Sequence, residues 1–303
     1  MFEGEKIPYP ESPTIGIPPR HQLAPADTSL GKVTLQIADL QRSLDFYTHI
    51  LGLHVLSQQD NHATLGTKSG HELLVLREKK GVKKAPHRGR LGIYHFALLL
   101  PTEGDLGRFV AHVQGAGWHI GMSDHFYSQA TYLQDPDGIS IEVYRDRPRD
   151  QWVVTTHGEI VGSADALDLD SLKKAAGEGP WTGIPEGTVM GHLHFYIDDL
   201  KEGERFYHQG LGLSKVGWGF PQGLFVSAGG YHHHIGMNTW AKGSNPSSDD
   251  DARLLHWELV LPDAVALEAT VQGLEAEGVT VTRSPEGTFA SDPWGITVQM
   301  LVK

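Results

Sequence analysis

One segment, VTLQIADLQRSLDFYTHILGL from Val33 to Leu53, returns 160 residues later as LHFYIDDLKEGERFYHQGLGL from Leu193 to Leu213. Asp39-Leu40 matches Asp199-Leu200, and Phe46-Tyr47 matches Phe206-Tyr207. A repeat at constant offset confines the chain to folds made by duplicating one supersecondary unit, because each copy must bury the same face. Within each copy the alternating run predicts a strand and the Asp predicts a helix N-cap. The aromatic pair falls on the buried stripe of an amphipathic helix, and the Gly of Leu-Gly-Leu stops it.

A second pair of segments recurs at an offset of 161: YHFALLLP from Tyr94 and LHWELVLP from Leu255. Each precedes a helix ending near Gly117 or Gly278. The turns Asp135-Pro136-Asp137-Gly138 and Asp292-Pro293-Trp294-Gly295 then introduce alternating strands, Ile139 to Tyr144 and Ile296 to Leu301. The pattern is four units of roughly 50 residues, each strand–helix–several strands, in two halves of two units. Residues 1–29, with six prolines, read as an extended arm. Residues 30–145 and 189–303 read as two domains, with a Gly/Pro-rich linker at 146–188.

Composition narrows the function. A hydrophobic fraction of 39 % suits a folded protein, and the formal charge of −12 disfavours nucleic acid and anionic membranes. No apolar run reaches membrane-spanning length and the N-terminus lacks signal-peptide order, so a cytoplasmic location is expected. The chain has no cysteine and 18 histidines. Thiolate chemistry is thereby excluded, and any transition-metal site must use imidazole and carboxylate.

The strand followed by ADLQRSLDFYTHILGL, and the DPDGISIEVY ending, resemble the βαβββ modules of the vicinal oxygen chelate superfamily, which includes glyoxalase I, bleomycin-binding proteins and extradiol dioxygenases. GIYHFALLLP, GMSDH, IEVYRDRP, MGHLHFYI and SAGGYHHHIGMNTW are similar to two-domain bacterial catechol-2,3-dioxygenases. The resemblance implies an α+β fold in which four βαβββ modules pair into two cup-shaped mixed-sheet domains.

It also implies metal ligands on the first and last strand of each module. Read through the repeats, these positions are Lys32 and Leu74, His95 and Glu142, His192 and His234, and His256 and Gln299. Chain-order pairing leaves His95 with Glu142 in one cup and His192, His234, His256 and Gln299 in the other. Crossed pairing collects His95, Glu142 and His192, with His234 nearby, and leaves Lys32, Leu74, His256 and Gln299 together. Both pairings occur in the superfamily, and the ligand chemistry favours the crossed one, since two imidazoles and one carboxylate suit Fe(II), or Mn(II), with coordination positions left open.

The implied activity is extradiol cleavage of a catechol by O2 to a ring-opened semialdehyde, with partners limited to a catechol-type small molecule and O2 and homo-oligomerisation left open. His125 matches the SDH element, and His232 and His234, placed on one face of the third module's last strand, join it as catalytic candidates. Tyr144 and Tyr196 are candidate hydroxyls around the site, and Asn238 and Trp240 candidate walls. The competing readings are a glyoxalase-like metal-dependent isomerase or lyase and a metal-free protein that binds aromatic drugs.

Overall fold

The computed structural model describes residues 2–10 and 15–303; Met1 and residues 11–14 of the N-terminal arm lie outside the described residues. The arm contributes a short strand, β1 (Lys6–Pro8). The first module comprises β2 (Ser29–Ile37), α1 (Leu40–His49), β3 (His54–Gln59), β4 (His62–Gly66) and β5 (Glu72–Glu78). The second has β6 (Gly92–Leu99), α2 (Glu103–Gly115), β7 (Gly121–Asp124), β8 (Ser128–Gln134) and β9 (Ser140–Asp146). The connection carries β10 (Val153–Thr155), which pairs with β1, and α3 (Leu169–Ala176).

The third module runs β11 (Val189–Tyr196), α4 (Leu200–Gly203), β12 (Ser214–Gly217), β13 (Gly223–Ser227) and β14 (Ile235–Asn238). The fourth runs β15 (Arg253–Leu261), α5 (Ala264–Ala276), β16 (Val281–Ser284), β17 (Gly287–Ser291) and β18 (Thr297–Val302).

The repeat works as its residues imply. The Asp39 side chain caps α1 by accepting from Arg42 N–H, and Asp199 caps α4 by accepting from Lys201 and Glu202 N–H. Gly52 and Gly212 end the two helical segments at φ 76° and 82°, where a side chain would strain the backbone. One copy departs from the amphipathic α-helix expected: after one turn, α4 widens into a π-helical stretch, Glu204–Gly210. The aromatic pair Phe206-Tyr207 is nevertheless buried like Phe46-Tyr47.

Sheet topology answers the pairing question. One eight-stranded sheet runs β12-β13-β14-β11-β6-β9-β8-β7, joining the third module to the second; the other runs β16-β17-β18-β15-β2-β5-β4-β3, joining the fourth to the first. Each sheet has an antiparallel seam, β6–β11 or β2–β15. The ranges 30–145 and 189–303 thus give the order of modules along the chain, whereas each cup takes one module from each half.

Chain neighbours meet through their helical segments instead. Tyr47 donates its hydroxyl to Asp135 Oδ2 at 2.9 Å, and Tyr207 donates to Asp292 Oδ2 at 2.9 Å. The same two carboxylates brace the Asp-Pro turns by accepting backbone N–H groups through Oδ1.

The main core lies between the sheets and under the helices, and across it Phe195 of β11 faces Trp257 of β15 with ring centroids 6.2 Å apart. Successive side chains on a strand point to opposite faces. His192 and His194, flanking Leu193 and Phe195 by parity, therefore face away from this core, into the cup of their own sheet.

Candidate metal centre

In the cup shared by the second and third modules, β6 supplies His95, β9 supplies Glu142 and β11 supplies His192, all buried. Glu142 Oε2 lies 3.1 Å from Nε2 of each histidine, and the two Nε2 atoms are 3.3 Å apart. These are the three residues expected to come together, and they form a group able to hold a metal ion. Metal–ligand bonds of about 2.1 Å give adjacent donors a spacing of roughly 3.0 Å in an octahedron, so the donor set fits a divalent ion bound on one face. Both Nδ1 atoms are buried without a hydrogen-bond partner, so the contacts of the two rings with each other and with Glu142 are made through Nε2. Burial opposes ionisation of Glu142, but the adjacent His192 and His95 outweigh it and hold the carboxyl well below its usual range.

No fourth ligand enters from the third module. His234 was expected there, but the strand register puts Gly236 opposite His194, just as Glu142 stands opposite Ala97. Gly236 is the position equivalent to Glu142. A Cβ on it would lie 2.9 Å from His194 Nδ1, so the His194 ring occupies the space a longer side chain would need.

The expected alternation of His232, His233 and His234 also fails, because β14 begins only at Ile235. Gly229 and Gly230, both at positive φ, turn the chain, and the three histidines lie in the loop that follows. His233, rather than its neighbours, lines the cavity, its ring 4.2 Å from that of His192. His232 is buried behind it, with Nε2 2.8 Å from Asp146 Oδ1 and its ring stacked on Tyr127. His234 accepts from the Ala228 N–H through Nδ1, and burial pushes its pKa down to about 3.

His125 does reach the cavity. Its Nδ1–H donates to the Ser163 carbonyl at 2.7 Å, so Nε2 is left to accept from the Tyr132 hydroxyl, also at 2.7 Å. Burial and the Glu142 charge raise the Tyr132 pKa well above its ordinary value, which keeps that proton on the phenol.

Tyr132 and His194 were both missed in the sequence. His194 carried a signal, standing two positions after His192 and so on the same strand face. Tyr132 was readable too, because the Asp135–Gly138 turn fixes the β8–β9 register and places Tyr132 opposite Glu142.

The remaining candidates lie around this cup. Tyr144 is buried, with its hydroxyl 2.6 Å from that of Tyr231 and its ring 4.8 Å from His192. Tyr196 stacks on Tyr94, and both Asn238 and Trp240 line the cavity, as expected. Asn238 Nδ2 donates to His194 Nε2 at 3.0 Å. The cavity holds about 540 Å³.

Among the described residues the other cup holds no such group. There the Lys32 ammonium pairs with Glu72 and lies 3.8 Å from Glu258, which places a built-in cation near the carboxylates. His256 Nε2 meets the Thr34 hydroxyl at 3.1 Å, Gln299 donates to the Glu286 carbonyl, and Leu74 is buried in the core.

Comparison with known proteins agrees with this architecture. Residues 29–143 match the model of the Glyoxalase/Bleomycin resistance protein/Dioxygenase superfamily. The chain is 38 % identical over 269 residues to a catechol-2,3-dioxygenase of Bacillus subtilis (strain 168), covering 88 % of this chain and 94 % of that protein. Among solved structures, one from Bacillus subtilis subsp. subtilis str. 168 superposes with a TM-score of 0.64 at 14 % identity, over 92 % of this chain and 86 % of that one. Glyoxalase I from Zea mays superposes at 0.55 and 17 % identity, over 91 % and 92 %. Matched modules, sheet topology and a full-length relative lead to one conclusion: the chain belongs to the glyoxalase/bleomycin resistance protein/dioxygenase superfamily.

Proposed function

We propose that this protein is an Fe(II)-dependent extradiol dioxygenase that opens a catechol ring with both atoms of O2, with His95, Glu142 and His192 as the ligands. The observation that carries the proposal is the convergence of two imidazoles and one carboxylate on one point at the floor of a cavity of about 540 Å³. The 38 % identical catechol-2,3-dioxygenase supports the same chemistry. Bound there, Fe(II) would supply a positive centre with free positions at which a catechol and O2 meet.

The chain's own groups handle the protons. His125, with Nδ1–H fixed on the Ser163 carbonyl, holds a basic Nε2 toward Tyr132, and together they can take a catechol proton and return it to a developing oxygen charge. His233 and His194 line the cavity beside the ligands, and burial drives both pKa values well below the ordinary one. Both rings are therefore neutral near pH 7 and act as hydrogen-bonding walls rather than as cations.

A glyoxalase-like isomerase reading asks for a metal-bound carboxylate base and a fuller coordination shell. Gly236, at the position equivalent to Glu142, offers neither. The direct test is oxygen consumption by anaerobically Fe(II)-loaded protein on addition of catechol, with a yellow ring-fission product. Absence of uptake across several catechols would refute the proposal.

A further inference from the structure

Resting on the dioxygenase reading, we infer that the substrate is a catechol bearing an uncharged, apolar substituent, an aryl group above all, and that carboxylated catechols are excluded. The two hydroxyls would be spent at the floor on the metal that His95, Glu142 and His192 would hold, so the substituent is read by the rest of the cavity. That remainder is rich in aromatic side chains, Tyr94, Tyr127, Phe220, Phe225 and Trp240, and its polar members, such as Ser128 and Gln222, are uncharged. Its volume of about 540 Å³ falls within the ~300–1,000 Å³ of pockets that hold drug-sized ligands, more than a single dihydroxylated ring fills. Flat aromatic walls favour a second ring, which can stack or pack edge-on.

Charge points the same way. Among the described residues, neither lysine nor arginine lines the cavity. Arg88 lies over the Trp240 ring, 5.2 Å from its centroid, and is absent from the lining. Asn238 is already engaged, donating to His194 and accepting from the Trp240 N–H, which leaves it ill placed to receive a carboxylate. The chain carries a formal charge of −12, so its long-range field also repels an anion. A carboxylate on a substituent inside the cavity would lose its water with no lysine or arginine on the lining to pair with it.

The experiment compares a phenyl-substituted catechol with protocatechuate, using the full chain loaded with Fe(II). kcat/KM is read from oxygen uptake, and Kd from anaerobic calorimetry with the same two ligands. The expected preference for the phenyl compound is on the order of 100-fold or more in kcat/KM, and Phe225→Arg or Trp240→Arg narrows it by about tenfold. Equal or better use of protocatechuate by the unmodified protein would overturn the inference. Should neither compound consume oxygen while the metal is retained, the dioxygenase reading fails. The anaerobic Kd ratio then decides this proposal alone: tighter phenylcatechol binding sustains it, and equal binding overturns it.

Discussion

The Tyr132 hydroxyl lies 2.7 Å from His125 Nε2, and Tyr132 itself stands opposite Glu142 in the β8–β9 ladder. A candidate base and a candidate ligand are thus bridged by one half-buried phenol. Removing the base, by His125→Ala, is expected to lower kcat by roughly 10²–10⁴-fold with the metal retained. Tyr132→Phe is expected to cost less, about 10–100-fold, and to move the pH profile of kcat. Steady-state rates from pH 5 to 9 and metal analysis check both. An unchanged profile in Tyr132→Phe would remove the phenol from the proton path.

Glu142 is the single carboxylate of the candidate centre. Glu142→Ala should abolish retention of Fe(II) through desalting, whereas His256→Ala and Gln299→Ala, in the other cup, should leave metal content unchanged. Stoichiometry by elemental analysis gives the answer. Loss of metal in His256→Ala with retention in Glu142→Ala would place the centre in the wrong cup.

Gly236 is required by the His194 ring beside it. Gly236→Ala forces that ring to shift, and an overpacked site of this kind costs about 1–3 kcal/mol. Urea unfolding should show the loss, together with reduced turnover because His194 leaves its hydrogen bond with Asn238. A variant with wild-type stability and rate would mean that the cavity has slack there.

Much of this is legible in the sequence alone. The constant offset marked four modules, and the donor chemistry of His95, Glu142 and His192 favoured the crossed pairing that the sheets display. What misled was local. His232 to His234 read as strand because alternation cannot distinguish a strand from the loop leading into one, and the positive-φ pair Gly229-Gly230 shifted the start of β14 to Ile235. The same shift hid Gly236, whose meaning depends on a neighbour from another strand. Nor does the sequence reveal that the repeated Tyr and Asp bond between chain neighbours while their strands pair elsewhere.

That bond carries a pH signature. Burial, the largest cause, pushes the Asp135 carboxyl up from 3.8 to about 7, and Asp292 to about 6. With its pKa raised on folding, Asp135 holds its proton more tightly in the native state. Its contribution to stability is therefore greatest below the unfolded pKa and declines as pH rises toward about 7. Roughly three pKa units at ~1.4 kcal/mol each set an upper bound of about 4 kcal/mol. Asp135→Asn should accordingly gain on the wild type as pH rises from about 4.5 to 7.5. Denaturant titrations at several pH values measure that difference, and a flat difference would show that the carboxyl titrates normally.

The central claim, that His95, Glu142 and His192 hold an iron that delivers O2 into a catechol ring, is tested most directly by mass spectrometry of the product formed under ¹⁸O2. Incorporation of both labelled atoms into a ring-opened semialdehyde is the predicted result, allowing for exchange of the aldehyde oxygen with water. An unopened ring, or a product without label from iron-loaded protein, would contradict it.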